Sequence, residues 1–178
     1  MIEIELPDEA GMTAARQHFA ALSESQNLLQ GGAAPGISAG RLYAHAMAPA
    51  PSPDAALETA LERNLALRRT YRDFVAASAS HRLGEVIAAS TDDIPPRRGA
   101  GCRISVAASQ SEADQFIVIL ELADGAASPA ALVLCDRDDR CHRFALPGAH
   151  RGVIQFIVQA DDPILALLRD PGTEALLR

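Results

Sequence analysis

Ile2, Ile4 and Leu6 alternate with Glu3 and Glu5 and stop at Pro7, a period of two that predicts a short, half-buried edge strand. The period then lengthens. Between Asp8 and Gln30, Met12, Ala15, Phe19, Leu22, Leu28 and Leu29 recur at helical spacing, with Asp8 and Glu9 at the positive end of the dipole and Gly31-Gly32 as the stop. Residues 31–53 read as a connector, broken by Gly31, Gly32, Pro35, Gly36 and Gly40 and closed by Pro49, Pro51 and Pro53, with room for a short helix from Ser38 to Met47. Ser52-Pro53 opens the best-marked helix of the chain, because Ser can accept from an orphan N–H while Pro occupies the first turn, where its missing donor costs nothing. Leu57, Leu61, Leu65, Tyr71, Phe74 and Val75 form its apolar stripe as far as Ala79. Leu83, Val86 and Ile87 extend it through His81 to Ala89, with Gly84 as a weak point.

Residues 91–101 (TDDIPPRRGAG) separate this helical periodicity from an extended one. Arg103–Ala108, Gln115–Leu122, Ala131–Cys135, Cys141–Leu146 and Gly152–Gln159 are short runs rich in Ile, Val and Phe, joined through turn material such as Asp124-Gly125 and Pro147-Gly148. Asp161-Asp162-Pro163 caps a short helix over Ile164–Arg169, and Thr173–Leu177 makes a last strand or turn. Closely spaced strands with brief connections exclude βαβ units. The expected fold is therefore α+β: a helical region over 1–92 containing the connector 31–53, then a mainly antiparallel β-sheet or small β-sandwich over 100–178.

Composition narrows the chemistry. Apolar residues make up 48% of the 178, but 35 are Ala and only 4% are aromatic, so the core must come from Leu, Ile, Val and Ala. No run approaches the roughly 20 apolar residues that span a bilayer, and Met1–Leu6 lacks the basic-then-apolar start of a secretory signal, so the expected location is the cytoplasm. A net charge of −7 repels phosphate backbones and anionic lipid, so neither nucleic acid nor membrane is an expected partner. All 16 basic residues are Arg. Without Lys there is no Walker A loop and no Schiff base, because a guanidinium never gives up its proton.

Gly36-Ile37-Ser38-Ala39-Gly40 fits the G-x-S-x-G nucleophile elbow, which would make Ser38 the nucleophile of a small serine hydrolase. That elbow needs a buried strand before it, and residues 31–35 cannot form one, so Ser38 is expected to cap a helix instead. In Cys135-Asp136-Arg137-Asp138-Asp139-Arg140-Cys141-His142, a hairpin sets Cys135 opposite Cys141, Leu134 opposite His142 and Leu132 opposite Phe144. Leu132, Leu134, Phe144 and Leu146 then take the core side, with both cysteines, Val133 and Arg143 facing outward. Small half-buried thiols are the expected state; a cross-strand disulfide and a zinc site from Cys102, Cys135, Cys141 and His142 are the alternatives. Asp136, Asp138 and Asp139 invite calcium, but an EF-hand loop counted from Asp136 has Cys141 where Gly is needed and Pro147 where Glu is needed. A solvated turn is expected. His18, His45, His81, His142 and His150 are scattered, with no H-E-x-x-H.

The stripe of Leu57, Leu61, Leu65 and Phe74 must be covered by the first helix, the sheet or another chain, and it is the expected interaction face. Leu57–Phe74 resembles helices of bacterial anti-sigma and other regulatory proteins, over fewer than twenty residues and with no specific motif. The expected function is a non-enzymatic cytoplasmic interaction or regulatory protein that needs no cofactor and contacts a protein partner or a second copy of itself. The alternatives are a zinc or redox sensor at Cys135, Cys141 and His142, and the hydrolase at Ser38.

Overall fold

The computed structural model describes residues 37–48, 51–84, 94–123 and 128–178, so the strand expected at Met1–Leu6 and the helix expected over Asp8–Gln30 lie outside the described residues. Helix α1 (Ala39–Met47) starts where Ser38 Oγ accepts the N–H of Arg41 at 3.1 Å. The long helix expected from Ser52 is divided into α2 (Ala55–Arg63), capped by Asp54, and α3 (Leu65–Ala77). Asn64 makes the division. Its backbone is extended (φ −123°, ψ 106°) and its side-chain oxygen accepts the N–H of Leu67 at 3.1 Å, so one residue ends α2 and caps α3. Asn side chains offer the backbone an alternative to the helical bond, which apolar spacing alone does not register.

The helix does not continue to Leu83. Ser78 turns its N–H and Oγ back onto Val75 O, and His81–Leu83 is strand β1, with His81↔Leu177, Arg82↔Leu176 and Leu83↔Ala175 in register. Long-range pairing that buries Leu83 outweighs local helical spacing. The rest of that expected extension, 85–89, lies outside the described residues. Strand β2 (Arg97–Gly99) arises within the segment that separates the two periodicities. Gly99 is required there, since a Cβ would lie 2.1 Å from Arg82 O on β1. The later strands follow the alternating pattern: β3 (Cys102–Ala108), β4 (Gln115–Leu122), β5 (Ala131–Cys135), β6 (Cys141–Ala145), β7 (Val153–Gln159) and, after helix α4 (Pro163–Arg169), β8 (Glu174–Leu177).

The strands form one antiparallel sheet in the order β6-β5-β8-β1-β2-β3-β4-β7. The architecture is α+β with an antiparallel sheet, and the sheet draws β1 and β2 from before residue 100. Its concave face curls around α4, where Ile104, Leu120, Leu132, Leu134, Ile154 and Leu177 meet Ile164, Leu165 and Leu168. On the opposite face Leu42, Leu57, Leu67, Tyr71, Phe74 and Val75 of α1–α3 pack on Val133, Cys135 and Leu176. Strand β5 is thus buried along its whole length. The hairpin register and the concave-side residues are as the spacing predicts, but Val133 and Cys135, expected outward, are 1% and 0% exposed because the helical layer covers them. Among the described residues no helix is long and apolar enough to cross a membrane.

Arg97 ties the concave core together. It is 1% exposed, and its guanidinium donates to Leu168 O (2.8 Å), Leu167 O (3.2 Å), Asp170 O (2.7 Å) and Thr173 O, the open carbonyls at the end of α4 and the turn into β8. Burial pushes its pKa down while Asp170 holds it up, yet a guanidinium stays charged throughout the ordinary pH range. Replacing Arg97 by Met should lower unfolding stability by about 3–5 kcal/mol, since several buried carbonyls lose their donors at once. Arg97→Lys should recover only part of that. Urea denaturation midpoints of the three proteins check both expectations.

Candidate functional site

The chemistry-bearing side chains gather where the corner between α2 and α3 meets the tip of the β5–β6 hairpin. The tip is shaped by its own acids: Asp136 Oδ1 accepts the N–H groups of Asp138 and Arg140, each at 2.9 Å, and Asp139 adopts a left-handed conformation with φ 61°. It is not free in solvent, as the sequence had implied. Arg68 Nε donates to Asp138 O at 2.8 Å, while Arg69 and Arg72 reach the Asp139 carboxylate at 3.2 and 2.5 Å. Arg72 also holds Glu174 of β8 at 3.0 Å, and Arg82 adds a looser 3.6 Å contact to the same carboxylate. Burial opposes ionisation of Asp139, but the hydrogen bonds from Arg72 and Arg69 outweigh it and hold its carboxyl below the ordinary carboxylate range. Nearby Asp73 goes the other way, raised by burial and by the charges of Asp139 and Glu174.

Between this tip and the helices lies a cleft of about 570 Å³. The helix side carries Glu58 and Glu62 of α2 with Arg68 of α3, the hairpin side Asp139, Arg140 and His142, and Leu61, Tyr71 and Cys141 supply the apolar surface. Cys141 is joined to Cys135 by a disulfide with the Cα atoms 4.0 Å apart. The free thiols expected for this pair are thereby corrected: directly opposed positions on one face of a hairpin bring the sulfurs together, and the reducing location assumed for the chain had weighed against the bond.

The proposed zinc ligands are not brought together. Cys102 is a free thiol in the concave core, with its pKa raised by burial, whereas Cys135 belongs to the helix-side core and is bonded to Cys141. His142 pairs with Leu134 and so projects from the face opposite Cys141, with Nε2 3.8 Å from Asp136 Oδ2. Among the described residues no cluster of His, Cys, Asp and Glu could hold a metal ion. Ser38 serves as the cap of α1, and the residues before Ile37 lie outside the described ones. The leucine stripe is divided: Leu57 and Phe74 are buried at 0% and 5%, Leu61 is half-buried at the cleft, and Leu65 is 42% exposed. His45 lies beside Tyr71, His81 beside Ser80, and His150 bridges to Val153, while His18 lies outside the described residues.

What sequence reading missed is the arginine face of α3. The signal was present as Arg68, Arg69 and Arg72 at helical spacing, with an acidic hairpin tip elsewhere to receive them.

Asp139→Asn tests the tip, because Asn tolerates the left-handed backbone while losing the charge. The variant should be about 1–2 kcal/mol less stable than the parent at pH 7. A depressed carboxyl pKa contributes stability above the ordinary value near 3.9 and loses it as pH falls toward the lower folded-state value. The gap between the two proteins should therefore close in acid, as urea unfolding across a pH series will show. Compared with known protein families, curated proteins and solved structures, the chain matches none.

Proposed function

We propose that the protein is a non-enzymatic regulatory module of the cytoplasm that grips a segment of another protein in the cleft between the α2–α3 corner and the hairpin tip. The observation that carries this reading is the polarity of the cleft. Glu58 and Glu62 stand on one wall and Arg140 on the other, and among the described residues none of the three makes an ion pair. Apolar surface from Leu61, Tyr71 and Cys141 lies between them. Such a slot suits an apolar side chain flanked by a basic residue facing α2 and an acidic one facing the hairpin. Its size fits one or two side chains of a partner segment better than a broad globular face. The original leucine stripe supports the reading only through Leu61 and Leu65, since Leu57 and Phe74 serve the internal core.

A photo-crosslinking amino acid placed at Arg140, in cells of the native host, should yield a discrete protein adduct. Charge reversal by Glu58→Arg with Glu62→Arg should reduce that adduct at least ~10-fold, the scale of about 1.4 kcal/mol in binding. The same probe at Ile157, an exposed residue on the far edge strand, should not give it. Adducts that ignore the charge reversal, or that match those from Ile157, would overturn the reading. An adduct at twice the mass of the chain would replace the foreign partner by a second copy.

A further inference from the structure

We infer that the Cys135–Cys141 disulfide is a reversible thiol switch, opened at Cys141 from within the cleft by a dithiol reductant, and that its state sets the geometry of the hairpin tip against α3. As regulation of the docking cleft, it rests on the reading proposed above.

The two sulfurs are unequal. Cys135 is 0% exposed, enclosed in the helix-side core with Leu67, Tyr71 and Val75, whereas Cys141 is half-buried and lines the cleft. A thiolate arriving from solvent therefore meets Cys141 Sγ first. Arg68 and Arg140 line the cleft together with Glu58, Glu62 and Asp139, so it is the access to Cys141, not a net positive field, that directs the attack. In the first step the reductant's thiolate bonds to Cys141 Sγ, the Sγ–Sγ bond breaks, and Cys135 takes the electron pair and then a proton. In the second step the other thiolate of the reductant attacks its own sulfur in the mixed disulfide and expels Cys141, which is protonated in turn. The protein gains two electrons and two protons, and the dithiol ends as a disulfide. Cys102 takes no part, being buried in the core on the other side of the sheet.

Opening the bond has a mechanical consequence. Sulfurs that were bonded now need van der Waals separation, and the space around Cys135 is filled by strand and helix on all sides of a fully buried site. The displacement falls on the Cys141 end of β6, which among the described residues pairs with β5 alone and is tied to α1 further along, through Arg143. That strand begins at the tip whose Asp138 carbonyl and Asp139 carboxylate hold Arg68, Arg69 and Arg72. A shift of β6 is thus delivered to α3 and to the hairpin side of the cleft.

The experiment treats the folded full chain with dithiothreitol, then with iodoacetamide, and reads alkylation by mass spectrometry and backbone amide exchange in both redox states. Expected are labelling of Cys141 ahead of Cys135 with Cys102 untouched, and several-fold faster exchange over residues 136–145 and 61–72 in the reduced form. The double variant Cys135→Ser with Cys141→Ser should exchange like the reduced protein without reductant. If the bond opens only under conditions that also label Cys102, it is a structural staple opened by global unfolding and the inference fails. It fails equally if reduction leaves exchange in both segments unchanged. Because exchange is read without a partner, a clear exchange response with no adduct at position 140 would sink the docking reading and leave the switch. An adduct of equal yield in both redox states would leave docking intact and sink its redox control.

Discussion

Guanidinium groups close the C-terminal ends of three of the four described helices, and the relation of the layers depends on them. The last carbonyls of a helix have no partner within it, and where the end is buried no water substitutes. Arg143 of β6 and Arg178, just past β8, both donate to the end of α1, to the carbonyls of Ala46, Met47 and Ala48. Arg97 of β2 does the same for α4, and Arg68 closes α2 from the first turn of α3. Each group is a rigid fork of donors that stays charged, which a chain without Lys supplies from Arg alone. Since the donors at α1 and α4 sit in the sheet or at its border, these bonds fix helices on both faces relative to the strands, not merely their own termini.

That arrangement makes β5 the hinge between two cores. Leu132 and Leu134 face the α4 side, Val133 and Cys135 the helical layer, so the strand cannot slip by one residue without exchanging its contents between cores. Strand β6, by contrast, has a neighbour on one side alone among the described residues. The hairpin therefore joins the most constrained strand to a strand held on one edge, and the disulfide and the Arg68, Arg69 and Arg72 contacts all sit where the two meet. A cleft at that junction has one wall anchored in the helical layer and the other at the start of β6, ahead of the point where Arg143 ties that strand to α1.

Much of the β region could be read from the chain because alternation of apolar residues is a local signal that burial enforces strongly. The bounds of β4 and β5 agree with the expected runs, and so does the pairing of Cys135 with Cys141, since a short hairpin loop sets the register. The break at Asn64, the strands at His81–Leu83 and Arg97–Gly99 and the disulfide were misjudged or missed for different reasons. Asn64 acts through a side-chain bond that periodicity ignores. The strand at His81–Leu83 owes its form to a partner nearly a hundred residues away, as His81↔Leu177 shows, and Arg97–Gly99 to pairing with both that strand and the start of β3. The candidate cleft was legible only in fragments: Cys141 and His142 drew attention, but nothing local linked the arginines of α3 to the acidic tip some seventy residues on.

Sequence alone determined that this chain would combine helices with antiparallel strands built on aliphatic rather than aromatic cores, and that its chemistry would exclude whatever needs a lysine. Those properties follow from residue type and near-neighbour spacing. The tertiary structure decided which face of each element was covered, turning the expected outward side of β5 and half of the leucine stripe, Leu57 and Phe74, into core. It also decided which charges meet, setting α3 against an acidic tip about seventy residues further on. Burial and ion pairing depend on distances between parts of the chain remote in sequence, and a one-dimensional pattern carries no record of those distances until packing assigns them.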